Sequence, residues 1–163
     1  MKQLLIIWHS MTGGTEQMAR GAKVGAAQEP EVEARLLHAR HAGPEDVLAA
    51  AGLIFATPEN LAAISGVMKD FFDRCYYPLL GRIEGRAYAS LICAGSDGEN
   101  AARQMTRIAT GWRLREVAPA LIVKTHAQAP EDILAPKMIG VEDLSRCEEL
   151  GLRLAAGLAL GVF

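Results

Sequence analysis

The stretch Leu4-Leu5-Ile6-Ile7-Trp8-His9-Ser10-Met11-Thr12-Gly13-Gly14-Thr15-Glu16-Gln17-Met18-Ala19 decides the fold. Its first part is almost purely apolar and short, as in a strand buried on both faces. It passes at once into hydroxyls (Ser10, Thr12, Thr15) and the pair Gly13-Gly14, and then into a helix-like segment. The N–H groups of a tight loop, with the free N–H groups of the following helix, make a site for a phosphate. Gly13 and Gly14 permit positive φ and close approach, while the hydroxyls add donors. Taken alone, the loop is either such a cradle or a polar turn with a helix cap. It contains no Lys or Arg, so any phosphate there is met by dipoles, which suits a monoester. No G-x-x-x-x-G-K-[ST] occurs and no G-x-G-x-x-G follows the strand, against a triphosphate P-loop and a dinucleotide fingerprint.

Working outward, strand-like and helix-like runs alternate along the chain. Leu53 to Ala56, Tyr88 to Ala94 and Leu121 to Val123 are short and continuously apolar, whereas Val32, Ala34 and Leu36 alternate with charged residues, as on an edge strand. Helical stripes run through Ile64, Met68, Phe71 and Cys75, through Ala101, Met105, Ile108 and Trp112, and through Leu144, Cys147, Gly151, Leu154 and Leu158. Gly21 and Gly25, beside Met18, Ala22 and Ala26, predict a first helix lying close to the sheet. Pro44-Glu45-Asp46 opens a helix that Gly52 can end. Thr125 to Gly140 lacks periodicity and reads as a long surface connection. The alternation predicts an α/β fold of roughly five parallel strands with right-handed crossovers.

Composition bounds the function. The chain has 163 residues, a length typical of one domain spanning 1–163. Half of it (50%) is apolar and 22% is charged, enough apolar sequence to bury a core. A net charge of −2 argues against general nucleic-acid binding and against a basic membrane-surface protein. Cys75, Cys93 and Cys147 are widely separated, without C-x-x-C spacing, and predict reduced thiols in a cytoplasmic protein. No signal peptide is expected, and no apolar run approaches the roughly 20 residues that cross a bilayer. His9, His38, His41 and His126 lack metal-ligand spacing, and His38 to His41 reads as a polar loop. Cys93 reads as a packing residue, and Trp8, Tyr76 and Tyr77 as core or interface residues.

Ser10-Met11-Thr12-Gly13-Gly14-Thr15 resembles the S-x-T-G-x-T phosphate loop of flavodoxin-like FMN proteins. Ala56-Thr57-Pro58-Glu59-Asn60, followed by Ser65 to Arg74, is similar to the strand-loop-helix of the NAD(P)H-dependent FMN and quinone reductase branch. There, a Thr-Pro loop passes the flavin ring and a K-x-F-x-D-R-like helix follows. Cys93 to Asn100 occupies the place of the other flavin-side loop. The resemblance implies a doubly wound sheet of strand order 2-1-3-4-5 with helices on both faces and FMN at the switch point, the arrangement for which flavodoxin is the standard example.

The site expected from this resemblance comprises Ser10, Met11, Thr12, Gly13, Gly14, Thr15, Thr57, Pro58, Glu59, Asn60, Gly95, Ser96 and Asp97. Pro58 rigidifies a turn after the third strand and biases Thr57 to extended geometry. Gly95 permits close approach to a ring, and Ser96 or Asp97 can cap the next helix while presenting polar atoms. Glu59 is either a solvated carboxylate or a flavin-side contact, and Asp97 either a cap or a contact. Glu59 to Ile64 has no aromatic where relatives stack one on the flavin. That leaves the ring partly open, or covered by a partner subunit in a homodimer or homotetramer. The implied activity is hydride transfer from NAD(P)H to FMN and onward to a small acceptor such as a quinone or flavin, with no protein acid or base required and no metal. The alternative is a flavodoxin-type electron carrier that docks on redox proteins. Such carriers are usually strongly acidic, which a net charge of −2 does not match. The intact loop argues against a third option, a domain that has lost its flavin.

Overall fold

The computed structural model describes residues 1–163. In chain order the elements are β1 (Lys2–Trp8), α1 (Gly14–Ala26), β2 (Val32–His38), α2 (Pro44–Ala49), β3 (Gly52–Asn60), β4 (Ala63–Ile64) and α3 (Gly66–Leu79). They continue with β5 (Ala87–Ala94), α4 (Glu99–Gly111), β6 (Arg115–Glu116), β7 (Leu121–Lys124), α5 (Pro130–Leu134) and α6 (Val141–Leu160). The central path is β2-β1-β3-β5, all parallel, and both β6 and β7 pair with β5. Counting β6 and β7 as one edge, this is the expected 2-1-3-4-5 order, although the sheet has 7 strands rather than five.

The two additional strands have local causes. β6 lies against Ala87 and Tyr88, and β7 against Leu91 to Ala94, so they form one edge interrupted in between. Pro119 falls in that interruption, where its missing N–H costs no ladder bond. β4 arises because β3 runs on through Thr57 and Pro58, with Pro58 in register with Cys93, before folding back antiparallel on itself. Pro58 therefore lies inside the strand, and the turn comes later, at Leu61 and Ala62. Both of those have positive φ, 52° and 63°, the geometry of a two-residue type I′ hairpin, which usually selects Asn-Gly.

Burial follows the strand positions. Every residue of β5 is buried, because helices cover both faces, whereas edge strand β2 is largely half-exposed. One core, under α2, α3 and α4, carries Phe55, Phe71, Phe72, Tyr88 and Trp112, with ring centroids as close as 4.9 Å. The other lies under α1 and α6. Gly21 and Gly25 of α1 face α6 rather than the sheet. A Cβ on Gly25 would collide with the Glu148 carbonyl, and one on Gly151 with that of Ala22. The two helices thus cross backbone against backbone.

Other local expectations are corrected. Helix α2 ends at Ala50, whose extended ψ of 138° breaks the helix, and Gly52 already belongs to β3. Trp8 is half-buried, edge-on to His38 at 4.8 Å, because it ends a strand beside the sheet edge. Of the core and interface readings of Tyr76 and Tyr77, only the core one is overturned: both are exposed, lying off the apolar stripe of α3, which continues to Leu79. His38 is the last residue of β2 rather than part of a loop. No helix is long and apolar enough to cross a membrane.

Candidate functional site

A cleft of about 490 Å³ opens outside the carboxyl ends of β1, β3 and β5, where the strand order reverses. Ser10, Met11, Thr12, Gly14 and Thr15 line one side, Pro58, Glu59, Asn60 and Leu61 another, and Cys93 to Gly95 the floor. The remaining wall is Thr125, Ala127, Ile133, Leu134 and Lys137, from the connection between β7 and α6. No Phe, Tyr, Trp or His lines the cleft.

The β1–α1 loop carries a set of unpaired donors. Gly13 is the N-cap of α1 with φ 94°, a left-handed conformation that glycine adopts without strain. Its N–H donates to Ser10 Oγ at 3.0 Å, which fixes the loop and leaves the serine proton free to donate outward. The amides of Met11, Thr12, Gly14, Thr15 and Glu16 donate to no carbonyl, as at the open start of a helix. Thr15 is 1% exposed, and its Oγ1 has no hydrogen-bond partner. The Cys93 thiol is its polar neighbour, but their geometry falls short of a hydrogen bond. An orphaned buried hydroxyl is unfavourable unless something accepts from it. These unpaired donors, that of Glu16 apart, belong to residues lining one side of the cleft, so the residues present fit a phosphate such as that of FMN.

A second orphaned atom lies across the cleft: Glu59 Oε2 is buried without a partner. Here the half-buried carboxylate is a lining group rather than a solvated loop charge. The hairpin that carries it is fastened at both ends. Asn100 Nδ2 donates to the Ala62 carbonyl at 2.6 Å, and the Ile64 amide donates to Gln104 Oε1 at 2.8 Å.

Beneath the hairpin, Thr57 Oγ1 accepts from the Ser65 amide at 3.0 Å, and Ser65 Oγ caps α3 by accepting from Met68 N. His9 Nδ1 shares a 2.8 Å hydrogen bond with Ser65 Oγ. Burial, then the nearby His38 and Arg40, lower the His9 pKa and favour the neutral ring. Thr57 is therefore a fully buried strut of this network rather than a lining residue.

Nine of the thirteen expected residues line the cleft, and Gly13, Thr57, Ser96 and Asp97 do not. Ser96 and Asp97 are exposed, and neither is the helix cap. The N-cap of α4 is Gly98, at φ 88°, with no side-chain cap bond. Asp97 Oδ1 accepts only a long 3.4 Å contact from the Glu99 amide. Cys93 is buried against Gly14, where an added Cβ would stand 2.7 Å from its sulfur, and burial pushes the thiol pKa up.

The connection between β7 and α6, which the sequence presents only as surface, forms a wall of the cleft. Three bonds pin it to the phosphate loop: Gln17 Nε2 to the Lys137 carbonyl at 2.7 Å, the Ile139 amide to Gln17 Oε1 at 3.0 Å, and the Lys137 amide to the Thr12 carbonyl at 2.9 Å. Lys137 Nζ donates to the carbonyls of Asp132, Ile133 and Ala135, closing the end of α5. Its charge is spent on the wall, and the phosphate loop keeps its neutral donors. His9, His38 and His41 lie near one another, with centroids 5.6 and 5.9 Å apart, but no His, Cys, Asp or Glu cluster is arranged to hold a metal.

Known proteins agree with this architecture. Residues 38–128 match the family model for NADPH-dependent FMN reductase. A flavodoxin from Aquifex aeolicus is 30% identical over 167 residues, covering 99% of this chain and 90% of that protein. An NAD(P)H dehydrogenase (quinone) from Acidithiobacillus ferrooxidans is 32% identical over 94 residues, 45% of this chain and 47% of that one. Among solved structures, the flavodoxin, WrbA-like protein from Agrobacterium tumefaciens superposes with TM-score 0.78 at 20% identity, covering 98% of this chain and 99% of that one. An archaeal flavodoxin also superposes at 0.78, with 16% identity over 96% of this chain and 99% of its own. With the family model spanning more than half of the sequence and the Aquifex flavodoxin aligned along nearly all of it, the chain belongs to the flavodoxin-like FMN reductase family, whose members are FMN-binding oxidoreductases.

Proposed function

We propose that residues 1–163 form one FMN-binding unit that takes hydride from NAD(P)H and passes electrons to a small acceptor such as a quinone or free flavin. The observation that carries the reading is the unpaired Thr15 Oγ1 together with the open amides of Met11, Thr12, Gly14 and Thr15, all on residues that line one side of the cleft. These groups, with Ser10 and Thr12, would hold the phosphate, and the α1 dipole adds to their attraction. The buried Glu59 Oε2 offers an acceptor to an N–H at the edge of the ring. Leu61, Ile133 and Leu134 supply aliphatic surface for a planar group and exclude water from it. FMN, when bound, supplies the hydride-accepting chemistry. No side chain is needed as a general acid or base.

The match of the reductase family model to the hairpin and both flanking strands supports an enzyme over a carrier. The whole-length similarity to a flavodoxin favours the second reading, an electron carrier docking on redox proteins. Anaerobic stopped-flow mixing of the FMN-loaded protein with NADH and NADPH separates them. Bleaching of the flavin band by either nicotinamide supports the reductase. Bleaching by dithionite or a reductase protein, with neither nicotinamide effective, makes the protein a carrier.

A further inference from the structure

On the far side of the hairpin from the cleft lies a second groove, of about 610 Å³, lined by Lys69 from α3 and by Asn100, Arg103, Gln104 and Arg107 from α4. These α4 residues stand at i, i+3, i+4 and i+7 on one stripe of the helix, with Ile108, at i+8, and Ala63 adding apolar surface to the lining. Lys69 is paired with Asp73 at 2.7 Å, but neither arginine pairs with any carboxylate. Arg103 reaches only Asn100 Oδ1, at 3.4 Å, although Glu99 stands four residues before it, a spacing that favours pairing. Arg103 and Arg107 are themselves four apart, a like-charge spacing that destabilises a helix.

The groove and the cleft share a wall. Ala63 lines the groove while Leu61 lines the cleft, and Asn100 and Gln104 are the residues bonded to the hairpin at Ala62 and Ile64. The hairpin thus stands between the two concavities. We infer that this groove takes the phosphorylated adenylate end of NADPH, with Arg103 and Arg107 holding its 2′-phosphate and so selecting NADPH over NADH. The inference rests on the reductase reading above. The guanidinium fork suits a phosphate, and arginine is the residue that accommodates a 2′-phosphate in other nucleotide sites.

The test is equilibrium binding of adenosine 2′,5′-bisphosphate to the FMN-loaded protein by calorimetry, with adenosine 5′-monophosphate and inorganic phosphate as comparisons. The bisphosphate should bind at least roughly tenfold more tightly than either. Arg103→Gln and Arg107→Gln should each lower that affinity, and the ratio of NADPH to NADH reduction rates, by roughly tenfold. Arg146→Gln, on α6 and paired with Asp143, should leave both unchanged. Equal binding of the two nucleotides, equal binding of inorganic phosphate, or no effect of either arginine change overturns the assignment. Failure of both nicotinamides to reduce the flavin refutes the reductase reading instead, and the calorimetry on the unmutated protein still decides the groove.

Discussion

Thr15→Val separates what the phosphate loop does for folding from what it does for binding. Thr15 is 1% exposed, and its hydroxyl has no partner within the protein. Valine keeps the branched shape and has nearly the same helix propensity, so the change removes one buried polar atom and little else. An unsatisfied buried hydroxyl costs about 1–3 kcal/mol, so flavin-free Thr15→Val should be more stable by an amount of that order. FMN should bind more weakly, because a hydrogen bond to a charged phosphate contributes about 1.5–3 kcal/mol, or roughly 10- to 150-fold in affinity. Riboflavin, which lacks the phosphate, should bind both proteins equally. Denaturant midpoints at constant m-value give the first number, and fluorescence titration of the two flavins gives the others. Unchanged FMN affinity, or a flavin-free variant less stable than the parent, would refute the assignment of this hydroxyl to a phosphate.

Gly25→Ala should lower stability by roughly 3 kcal/mol or more, read from urea unfolding, because its Cβ meets the Glu148 backbone and α1 must move off α6. The helix-propensity gain of about 1 kcal/mol is too small to offset that. Replacing Leu61-Ala62 by Asn-Gly should raise the stability of the flavin-free protein by about 1–2 kcal/mol, since both residues sit at positive φ in the hairpin. An unchanged melting temperature would count against the strained turn. The lowered pKa of His9 makes the unfolded chain take up its proton first. Its contribution to stability should be complete above the ordinary value of 6.5 and be lost as pH falls below it. His9→Gln should flatten that acid limb of the melting-temperature profile, and an identical profile would exclude His9 as its source.

What could be read from sequence was whatever neighbouring residues encode. Ile6 and Ile7 running into Ser10-Met11-Thr12-Gly13-Gly14-Thr15 specify strand, anion loop and helix together, because a covalently continuous segment sets its own φ/ψ and its own donors. The apolar runs likewise fixed the parallel core and the half-exposed edge at β2. Local chemistry was less informative where a residue's role depended on its surroundings. Pro58 has the composition of a turn but pairs with Cys93 in a strand, and Asp97 has the composition of a cap that Gly98 supplies instead. Tertiary structure alone decided the rest. Gly21 and Gly25 face α6 because Cys147 and Glu148 come from more than a hundred residues away to meet them, as Gly151 meets Ala22. Ile133, Leu134 and Lys137 became a wall of the cleft because Gln17 holds Ile139 across a separation of 122 residues. Such contacts depend on chain closure and packing, which leave no periodic trace in a single sequence.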